Sequence, residues 1–330
     1  MKFGPVPLAQ AEGAILAHSE HAGGRKIAKG TRLEQAHLDQ LAAAGFAQVV
    51  VARLDPGDVH ENTAALQLAQ ALVAGQGLRL SDAATGRVNL RAELPGVLEI
   101  DAAAIGALNH VHPGITVATV PQWGKLGPRG LAATIKIIPY AVPGGALDQA
   151  CMAGAGALRL RAPVMRHATL IETRTGPDIP PEKGRQATEA RLEFFGVTLA
   201  PRVVVPHEVD AVAAALAEAQ GDLALILTGS ATSDMADTAP EAVRRAGGQV
   251  HHYGMPVDPG NLLFLGEADG RPVVGLPGCA RSAALNGADW VLERLICGVT
   301  VTPEDIMGMG VGGLLKDIPT RPVPRHLVDG

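Results

Sequence analysis

The chain has 330 residues, of which 47% are hydrophobic and 18% are charged, and its formal net charge is −5 at pH 7. This composition indicates a globular protein and excludes an intrinsically disordered one. The mild acidity and the lack of a basic stripe argue against nucleic acid as a partner, and no apolar run reaches the roughly 18 residues that a membrane span needs. Three widely spaced cysteines and a first segment without a secretory signal pattern favour reduced thiols in the cytoplasm.

Residues 1–60 predict an N-terminal α/β segment. Thr31 and Glu34 have the spacing of a capping box, and Gly45 provides a stop for the helix that follows. The β-branched run of residues 46–54 then predicts a strand that ends at an Asp-Pro-Gly turn.

Residues 61–165 predict a small β-rich domain. After a helix from about His60 to Ala74, short candidate strands alternate with proline and glycine, and a short helix near residues 145–155 closes the region. This pattern differs from the strand–helix alternation that comes next in the chain.

Residues 166–300 predict an α/β domain in which helices cover both faces of a mostly parallel sheet. Strand-like runs alternate with amphipathic helices, including a helix over 181–196 and a long one over 282–298, and the run LALIL is continuously apolar, as expected for a buried parallel strand. Residues 301–330 predict a tail that consists of a docking strand followed by a proline-rich linker.

Ligands bind at the carboxyl ends of the strands in such a sheet, which selects three loops. The first loop runs from Thr228 to Asp237, and Thr238 and Glu241 have capping-box spacing at the start of the next helix. Free N–H groups there suit a phosphate, and Asp237 could hold Mg²⁺ or a substrate amine or hydroxyl. The alternative is that Asp237 and Thr238 only cap the helix.

The second and third loops are residues 255–261 and 276–282. In the third loop, Pro277-Gly278 predicts a tight turn into a helix, and Arg281 and Ser282 are further anion donors. The alternative for both loops is an ordinary strand-to-helix turn. Three loops at one predicted sheet edge nevertheless favour a single shared ligand site.

Other signals carry less weight. Residues 154–156 lack the third glycine of a dinucleotide-binding loop, and the histidine pairs at 110/112 and 251/252 lack a partner at zinc spacing. Cys279 lies within the third loop, where a small half-buried residue is a simpler interpretation than a reactive thiol.

The three loops resemble the molybdopterin-binding domain that the MoeA and MogA families of molybdenum cofactor biosynthesis share. That domain has a T/S-G-G-x-S/T loop leading to an aspartate, then a P-G turn and an L-P-G turn. Here the same order is found in Thr228-Gly229 through Asp237, Pro259-Gly260 and Leu276-Pro277-Gly278. The first 60 residues also resemble the opening region of MoeA. The run GLPGCARSAALNGADWVLERL with MGMGVGGLL is more similar still to a MoeA-like module that is often fused ahead of a molybdopterin cytidylyltransferase.

The resemblance implies a three-layer αβα domain that binds molybdopterin, with its adenylate as a candidate form. Asp237 would be the catalytic residue and the Mg²⁺ ligand, and a MoeA-type molybdate insertion with release of AMP would be the reaction. The cofactor-binding residues implied are Thr228, Gly229, Ser230, Thr232, Asp234, Pro259, Gly260, Pro277, Gly278 and Ser282.

Five positions depart from the family pattern. A glycine is replaced at two of them, a lysine at two and an asparagine at one, in the order Ser230, Asp234, Asp258, Asn261 and Cys279. Losing two lysines and gaining two carboxylates should weaken the binding of nucleotide phosphates. Glu189 is only a candidate for the family's acidic residue on the first helix. A pterin-type ligand is therefore better supported than ATP-dependent catalysis.

Two other functions stay open. The protein could be a non-catalytic carrier or scaffold for a cytidylyltransferase, which the missing lysines favour, or a nucleotide hydrolase of the competence-damage type. A homodimer is expected, because MoeA-like proteins pair through surfaces of the N-terminal and β-rich segments.

Overall fold

The computed structural model describes residues 1–315, and the predicted proline-rich linker of the tail lies outside these residues. The chain forms two compact units. Among the described residues, the first unit comprises 1–94 and 98–160, and the second comprises 95–97 and 161–315. The four-part division expected from the sequence stays a prediction.

The described residues contain strands and helices in the following order along the chain. The strands are β1 (Lys2–Pro7), β2 (Ile15–Leu16), β3 (Glu20–Ala22), β4 (Arg25–Ile27), β5 (Gln48–Arg53), β6 (Asp58–His60), β7 (Leu78–Leu80), β8 (Arg87–Ala92), β9 (Gly96–Ile100), β10 (Ile115–Thr119), β11 (Gly124–Leu126), β12 (Leu131–Ile137), β13 (Ala141–Pro143), β14 (Leu158–Arg161), β15 (His167–Arg174), β16 (Thr198–Leu199), β17 (Val203–Pro206), β18 (Leu223–Leu227), β19 (Gln249–Tyr253), β20 (Phe264–Ala268) and β21 (Arg271–Leu276). The helices are α1 (Gln35–Ala43), α2 (Glu61–Leu72), α3 (Ala102–Asn109), α4 (Gly144–Ala153), α5 (Glu182–Glu193), α6 (Val209–Glu218), α7 (Thr238–Arg245), α8 (Gly287–Ile296) and α9 (Pro303–Met307).

The N-terminal part of the first unit is a three-stranded antiparallel sheet with the order β1-β5-β2. Helix α1 packs beside it over a core that includes Leu16, Leu38 and Leu41. The predicted capping box between Thr31 and Glu34 is wrong. Glu34 is itself the N-cap, and its partner in the box is His37, because the helix begins one turn later than the spacing suggested.

The rest of the first unit is β-rich, as the sequence predicted. Its largest sheet has the order β10-β12-β8-β7 and is antiparallel throughout. Helix α2 packs against it and α4 packs against α2, and Leu68, Leu72, Leu90 and Ile135 are fully buried in the shared core.

The second unit contains the predicted α/β sheet, with the strand order β16-β15-β18-β21-β20-β19 and β17 also paired to β15. The pairs among β15, β16, β17, β18 and β21 are parallel, which confirms the mostly parallel architecture. Strand β20 was not predicted, and it is antiparallel to both of its neighbours. Helices cover both faces: Ile226 lies in the core with α6 and α7, whereas the next residue, Leu227, faces Gly184 of α5.

Four strands of this sheet end at one edge. Glu172 of β15 pairs with Leu227 of β18, and Leu227 pairs with Leu276 of β21. Tyr253, the last residue of β19, reaches the same edge because β19 and β21 are both antiparallel to β20. The three candidate loops therefore leave the sheet on one side, as expected.

Two predicted helix starts need correction. The long helix over 282–298 begins only at Gly287, with Asn286 as its N-cap, and the Pro277-Gly278 turn enters a short 3₁₀ turn over Gly278–Arg281. At α7 the N-cap is Asp237, and Glu241 pairs with Arg244 instead of closing a capping box. Between residues 1 and 315, no helix is both long enough and apolar enough to cross a membrane.

Candidate functional site

A cavity of about 450 Å³ lies at the edge where β15 and β18 end. Its walls come from the end of β15 and the loop after it, the first turn of α5, Leu227 at the end of β18, Gly229 of the first candidate loop and Arg281 of the third. Three cationic side chains line it, namely Arg174, Lys183 and Arg281. The volume is within the usual range for small-molecule sites.

The first turn of α5 gives this cavity a positive side. The N-cap of α5, Pro181, has no side-chain oxygen to accept the first backbone N–H groups of the helix. Lys183 is exposed, and no hydrogen bond or ion pair engages its ammonium within residues 1–315. A free ammonium at a helix N-terminus is well suited to an oxyanion.

Arg281 joins the first and third loops. Its guanidinium donates a hydrogen bond to the carbonyl oxygen of Thr228, at the end of β18. Its stem lies over Gly184, where a Cβ would be 3.3 Å from Arg281 Cγ and 2.9 Å from Leu227 Cδ2. A side chain at position 184 would therefore push Arg281 away from the cavity wall.

Two acidic residues line the cavity, and the buried one, Glu172, is already neutralised, whereas Asp178 is exposed. Glu172 is only 1% exposed, and Arg202 binds its carboxylate with two hydrogen bonds, of 2.7 and 3.1 Å. Arg202 also contacts Glu182 and donates to the carbonyl of Pro180. The hydrogen bond with Glu172 raises the pKa of Arg202. Because both oxygens of the Glu172 carboxylate are bound by Arg202, this carboxylate does not compensate the charge of Lys183.

The Gly229 amide, which the sequence assigned to phosphate binding, already has an acceptor. It donates to Thr173 Oγ1 at 2.7 Å, and Thr173 Oγ1 lies 2.9 Å from His207 Nδ1. A Cβ at Gly229 would be 2.7 Å from the Thr173 carbonyl oxygen, so this close approach requires glycine. Thr173 and His207 thus hold the first loop against the end of β15.

Replacing Thr173 with valine should lower the free energy of unfolding by about 1–3 kcal/mol, because the Gly229 amide loses its acceptor at nearly constant volume. Urea denaturation of this variant and of Thr175→Val, an exposed residue of the loop after β15, measures the difference. If Thr173→Val unfolds at the same urea concentration as the wild type, the hydrogen bond does not hold the loop.

Asp237 is the N-cap of α7, which is the structural alternative considered for it. Its carboxylate accepts hydrogen bonds from the amides of Thr238, at 2.7 Å, and Ser233, at 2.9 Å. Asp234 accepts from the amide of Ala236 at 2.8 Å. Burial, followed by the charges of Asp234 and Asp237, raises the pKa of Tyr253. The first loop therefore carries a negative field of its own, unlike the wall with Lys183.

The other predicted site residues are distributed around this edge. Thr228 and Thr232 are buried, and Tyr253 donates a hydrogen bond to the carbonyl of Thr232 at 3.0 Å. Ser230 is exposed on the first loop. Thr228, Ser230 and Thr232 do not line the cavity, and neither do Asp234 and Asp237.

The Pro-Gly turn of the second loop is also separate from the cavity. Pro259 and Gly260 are buried, and the carbonyl of Pro259 accepts a hydrogen bond from the amide of Gly287 at 2.8 Å. Gly260 has a φ of +141°, and a Cβ there would be 2.6 Å from the Gly287 amide nitrogen. This turn packs against the start of α8.

In the third loop only Arg281 reaches the cavity. Pro277 is buried, whereas Gly278 and Ser282 are exposed. The carbonyl of Ser282 accepts a hydrogen bond of 2.7 Å from Arg191 of α5. Leu314 and Asp258 form a single bridge, which is all that the described residues contain of the predicted docking strand.

Sequence reasoning missed the loop after β15 and the start of α5. The strand ATLIETRT and the helix after it were both predicted, so the rule that selected the other loops could have selected residues 175–181 as well. Neither region contains the glycine-rich motif on which the resemblance was based. Over residues 1–315, no group of three His, Cys, Asp or Glu side chains is arranged to hold a metal ion.

Two segments of the chain match models of known protein families. Residues 181–296 match the family model described as a probable molybdopterin binding domain, and residues 5–53 match a domain of unknown function. A search of curated proteins gives no match.

Two solved structures with low similarity are the molybdopterin biosynthesis MoeA protein from Pyrococcus horikosii and a molybdenum cofactor biosynthesis protein from Pyrococcus furiosus. Each is 13% identical in sequence, and the TM-scores are 0.30 and 0.25. The alignments cover 94% and 91% of this chain, and 76% and 66% of the two structures.

The second unit is thus an α/β domain with a cation-lined cavity of ligand size at the carboxyl edge of its sheet. Its residues 181–296 match the model of a probable molybdopterin binding domain, in line with the resemblance of the three loops.

Proposed function

We propose that the second unit binds molybdopterin and that the cavity beside α5 holds its phosphate. The observation that carries this proposal is the unpaired Lys183 at the first turn of α5, with Arg174 and Arg281 in the same wall. Phosphate oxygens are good acceptors for guanidinium, ammonium and helix N-terminal N–H groups. The family match at residues 181–296 supports a pterin as the rest of the ligand.

The residues present suit this ligand. Cations and free backbone N–H groups lie on the α5 side, and the nearest buried carboxylate, Glu172, is bound by Arg202. Gly229 of the first loop lies on the other side, where its carbonyl can accept a hydrogen bond from a pterin ring. The phosphate would not lie against Asp234 and Asp237, whose charges would repel it.

A titration of molybdopterin under anaerobic conditions tests the proposal. Binding to Lys183→Ala should be about 10–100-fold weaker than to the wild type, since a hydrogen bond to a charged group is worth about 1.5–3 kcal/mol. Arg245→Ala is the matched control. It also removes a cation, but Arg245 of α7 forms an exposed ion pair with Asp210 of α6 and does not line the cavity. An absence of binding by the wild type, or equal loss in both variants, would contradict the proposal.

We further propose that the chain holds and transfers the cofactor and does not insert molybdate. Asp237 gives its carboxylate to two backbone N–H groups, so the residues at this position do not fit the Mg²⁺ role that the resemblance implied, and we derive no step through a metal. Incubation of the protein with adenylated molybdopterin and molybdate should release no AMP. Release of AMP that depends on Asp237 would instead establish the insertion reaction.

The remaining expectations are proposals of the same kind. A cytidylyltransferase is the proposed recipient of the cofactor, with the homodimer as the proposed oligomer and the cytoplasm as the proposed compartment. Hydrolysis of a nucleotide has no observation in its favour beyond the shared domain.

A further inference from the structure

A second cavity, of about 660 Å³, lies in the first unit and has no part in the proposed molybdopterin site. Residues 12–15, 30, 32, 52–54 and 60 line it. Part of its wall is apolar, from Ala14, Ile15, Ala52 and Leu54, and the rest carries charged and polar groups. Its volume is sufficient for a ligand of nucleotide size.

Two arginine side chains of this cavity are unpaired. Across residues 1–315, neither the Arg32 nor the Arg53 guanidinium makes a hydrogen bond or an ion pair. Other arginines of the chain behave differently: Arg191 binds one carboxylate and several carbonyls, and Arg202 binds two carboxylates and one carbonyl. Glu12 is the single acidic residue in the lining, so the wall is net positive.

Both arginines lie beside the paired residues of β2 and β5 that line this cavity. Ile15 of β2 pairs with Ala52 of the central strand β5 on one side and forms a bridge to Arg32 on the other. Arg53 follows Ala52 directly, and its cross-strand partner on β1 is Lys2. Two like charges opposite each other in a sheet are unfavourable, and a bound anion between or beside them would relieve the repulsion.

His60 adds a third hydrogen-bonding side chain to the lining of this cavity. Its Nδ1 accepts the Asn62 amide at 3.3 Å as the N-cap of α2, so its Nε2 is the nitrogen left for another partner. The next residue, Glu61, is buried and does not line the cavity, and burial raises the pKa of its carboxyl group.

We propose that this cavity binds a phosphorylated small molecule of nucleotide size. Arg32 and Arg53 contact the phosphate oxygens, for which guanidinium groups have matching donor geometry. The wall of Ala14, Ile15 and Leu54 covers the less polar body of the ligand. Glu12 accepts a hydrogen bond from an amine or hydroxyl of the same ligand.

Isothermal titration of the full chain with ADP and with inorganic pyrophosphate tests this site. The double variant Arg32→Ala/Arg53→Ala should bind ADP at least tenfold more weakly than the wild type. The matched control is Arg25→Ala/Lys26→Ala, which removes the same charge from the exposed β3–β4 hairpin of the same unit, and it should bind within twofold of the wild type. Lys183→Ala should also retain ADP binding, because that residue lies in the other cavity.

Several outcomes would overturn the proposal. These are no ADP binding by the wild type, equal loss in the two double variants, loss in Lys183→Ala alone, or binding of pyrophosphate with exclusion of ADP. If the alanine double variant melts early by circular dichroism, Arg32→Gln/Arg53→Gln replaces it and should show the same loss. The molybdopterin titration of Lys183→Ala tests the proposed site in the second unit, and the ADP titration of the double variants tests the cavity in the first unit. Either proposal can therefore fail without the other.

Discussion

Replacing Arg191 with leucine should lower the free energy of unfolding by about 3–5 kcal/mol, which would be among the largest effects of any single change in the second unit. Arg191 on α5 binds Asp289 of α8 at 2.6 Å, and both side chains are nearly buried, with 11% and 5% exposure. The same guanidinium donates to the carbonyls of Ala187, Ala280, Ser282 and Ala284. Removing it leaves the buried Asp289 carboxylate with only the Asn286 amide as a donor, and it leaves the carbonyls of Ala280 and Ser282 in the third loop without the guanidinium.

Urea denaturation of Arg191→Leu against the wild type measures this effect. Arg245→Leu is the control, because Arg245 pairs with Asp210 in an exposed ion pair that is worth about 0–1 kcal/mol. Arg281 should also lose its orientation, so Arg191→Leu should weaken ligand binding at the cavity beside α5. A change in unfolding free energy as small as that of Arg245→Leu would show that water replaces the guanidinium without cost.

Replacing Gly275 with alanine should cost about 3 kcal/mol through overpacking. Gly275 lies on β21 directly opposite Phe264 of β20, and the Phe264 ring, which is fully buried, covers its Cα. A Cβ at this position would be 1.9 Å from Phe264 Cε1 and 2.1 Å from Cδ1. The ring must therefore leave its rotamer or β20 must move.

A double-mutant cycle tests the assigned cause. Gly275→Ala combined with Phe264→Leu should be less destabilised than the sum of the two single variants, because the smaller side chain makes room for the methyl group. Gly176→Ala, where a Cβ meets no atom within 4 Å, is the control and should stay within about 0.5 kcal/mol of the wild type. If the two changes in unfolding free energy are additive, contact with the Phe264 ring is not the cause of the destabilisation by Gly275→Ala.

The α/β architecture of residues 166–300 could be predicted because it depends on patterns of apolar and polar residues within short segments. Strand β18 is continuously apolar, and the alternation of such runs with amphipathic helices is a property of short segments. The same holds for the common edge of the loops, since parallel strands have their carboxyl ends on one side. Helix starts were less predictable: Thr31, Thr238 and the 282–286 segment all had suitable residue types but not the observed roles.

The composition of the cavity could not be predicted in the same way. Gly229 was assigned to a phosphate from its motif, but its amide is bound by Thr173, which is 56 residues earlier in the chain. Pro259-Gly260 has the motif of a ligand turn and packs instead on the start of α8. Lys183 belongs to no motif, and only the parallel pairing of β15 with β18 brings it next to Gly229.

By itself the sequence determined the fold class of the second unit, the resemblance of its loops to a molybdopterin-binding domain and the edge of the sheet at which these loops meet. Periodicity, chain polarity and short motifs are local, so they can be read without knowing which segments touch. The tertiary structure alone decided which polar groups are free. Arg202 neutralises Glu172, Thr173 occupies the Gly229 amide and backbone N–H groups occupy Asp237, whereas Lys183 and the Arg32–Arg53 pair have no such partners within residues 1–315. Whether a charge is available to a ligand depends on long-range contacts, and these exist only after the chain has folded.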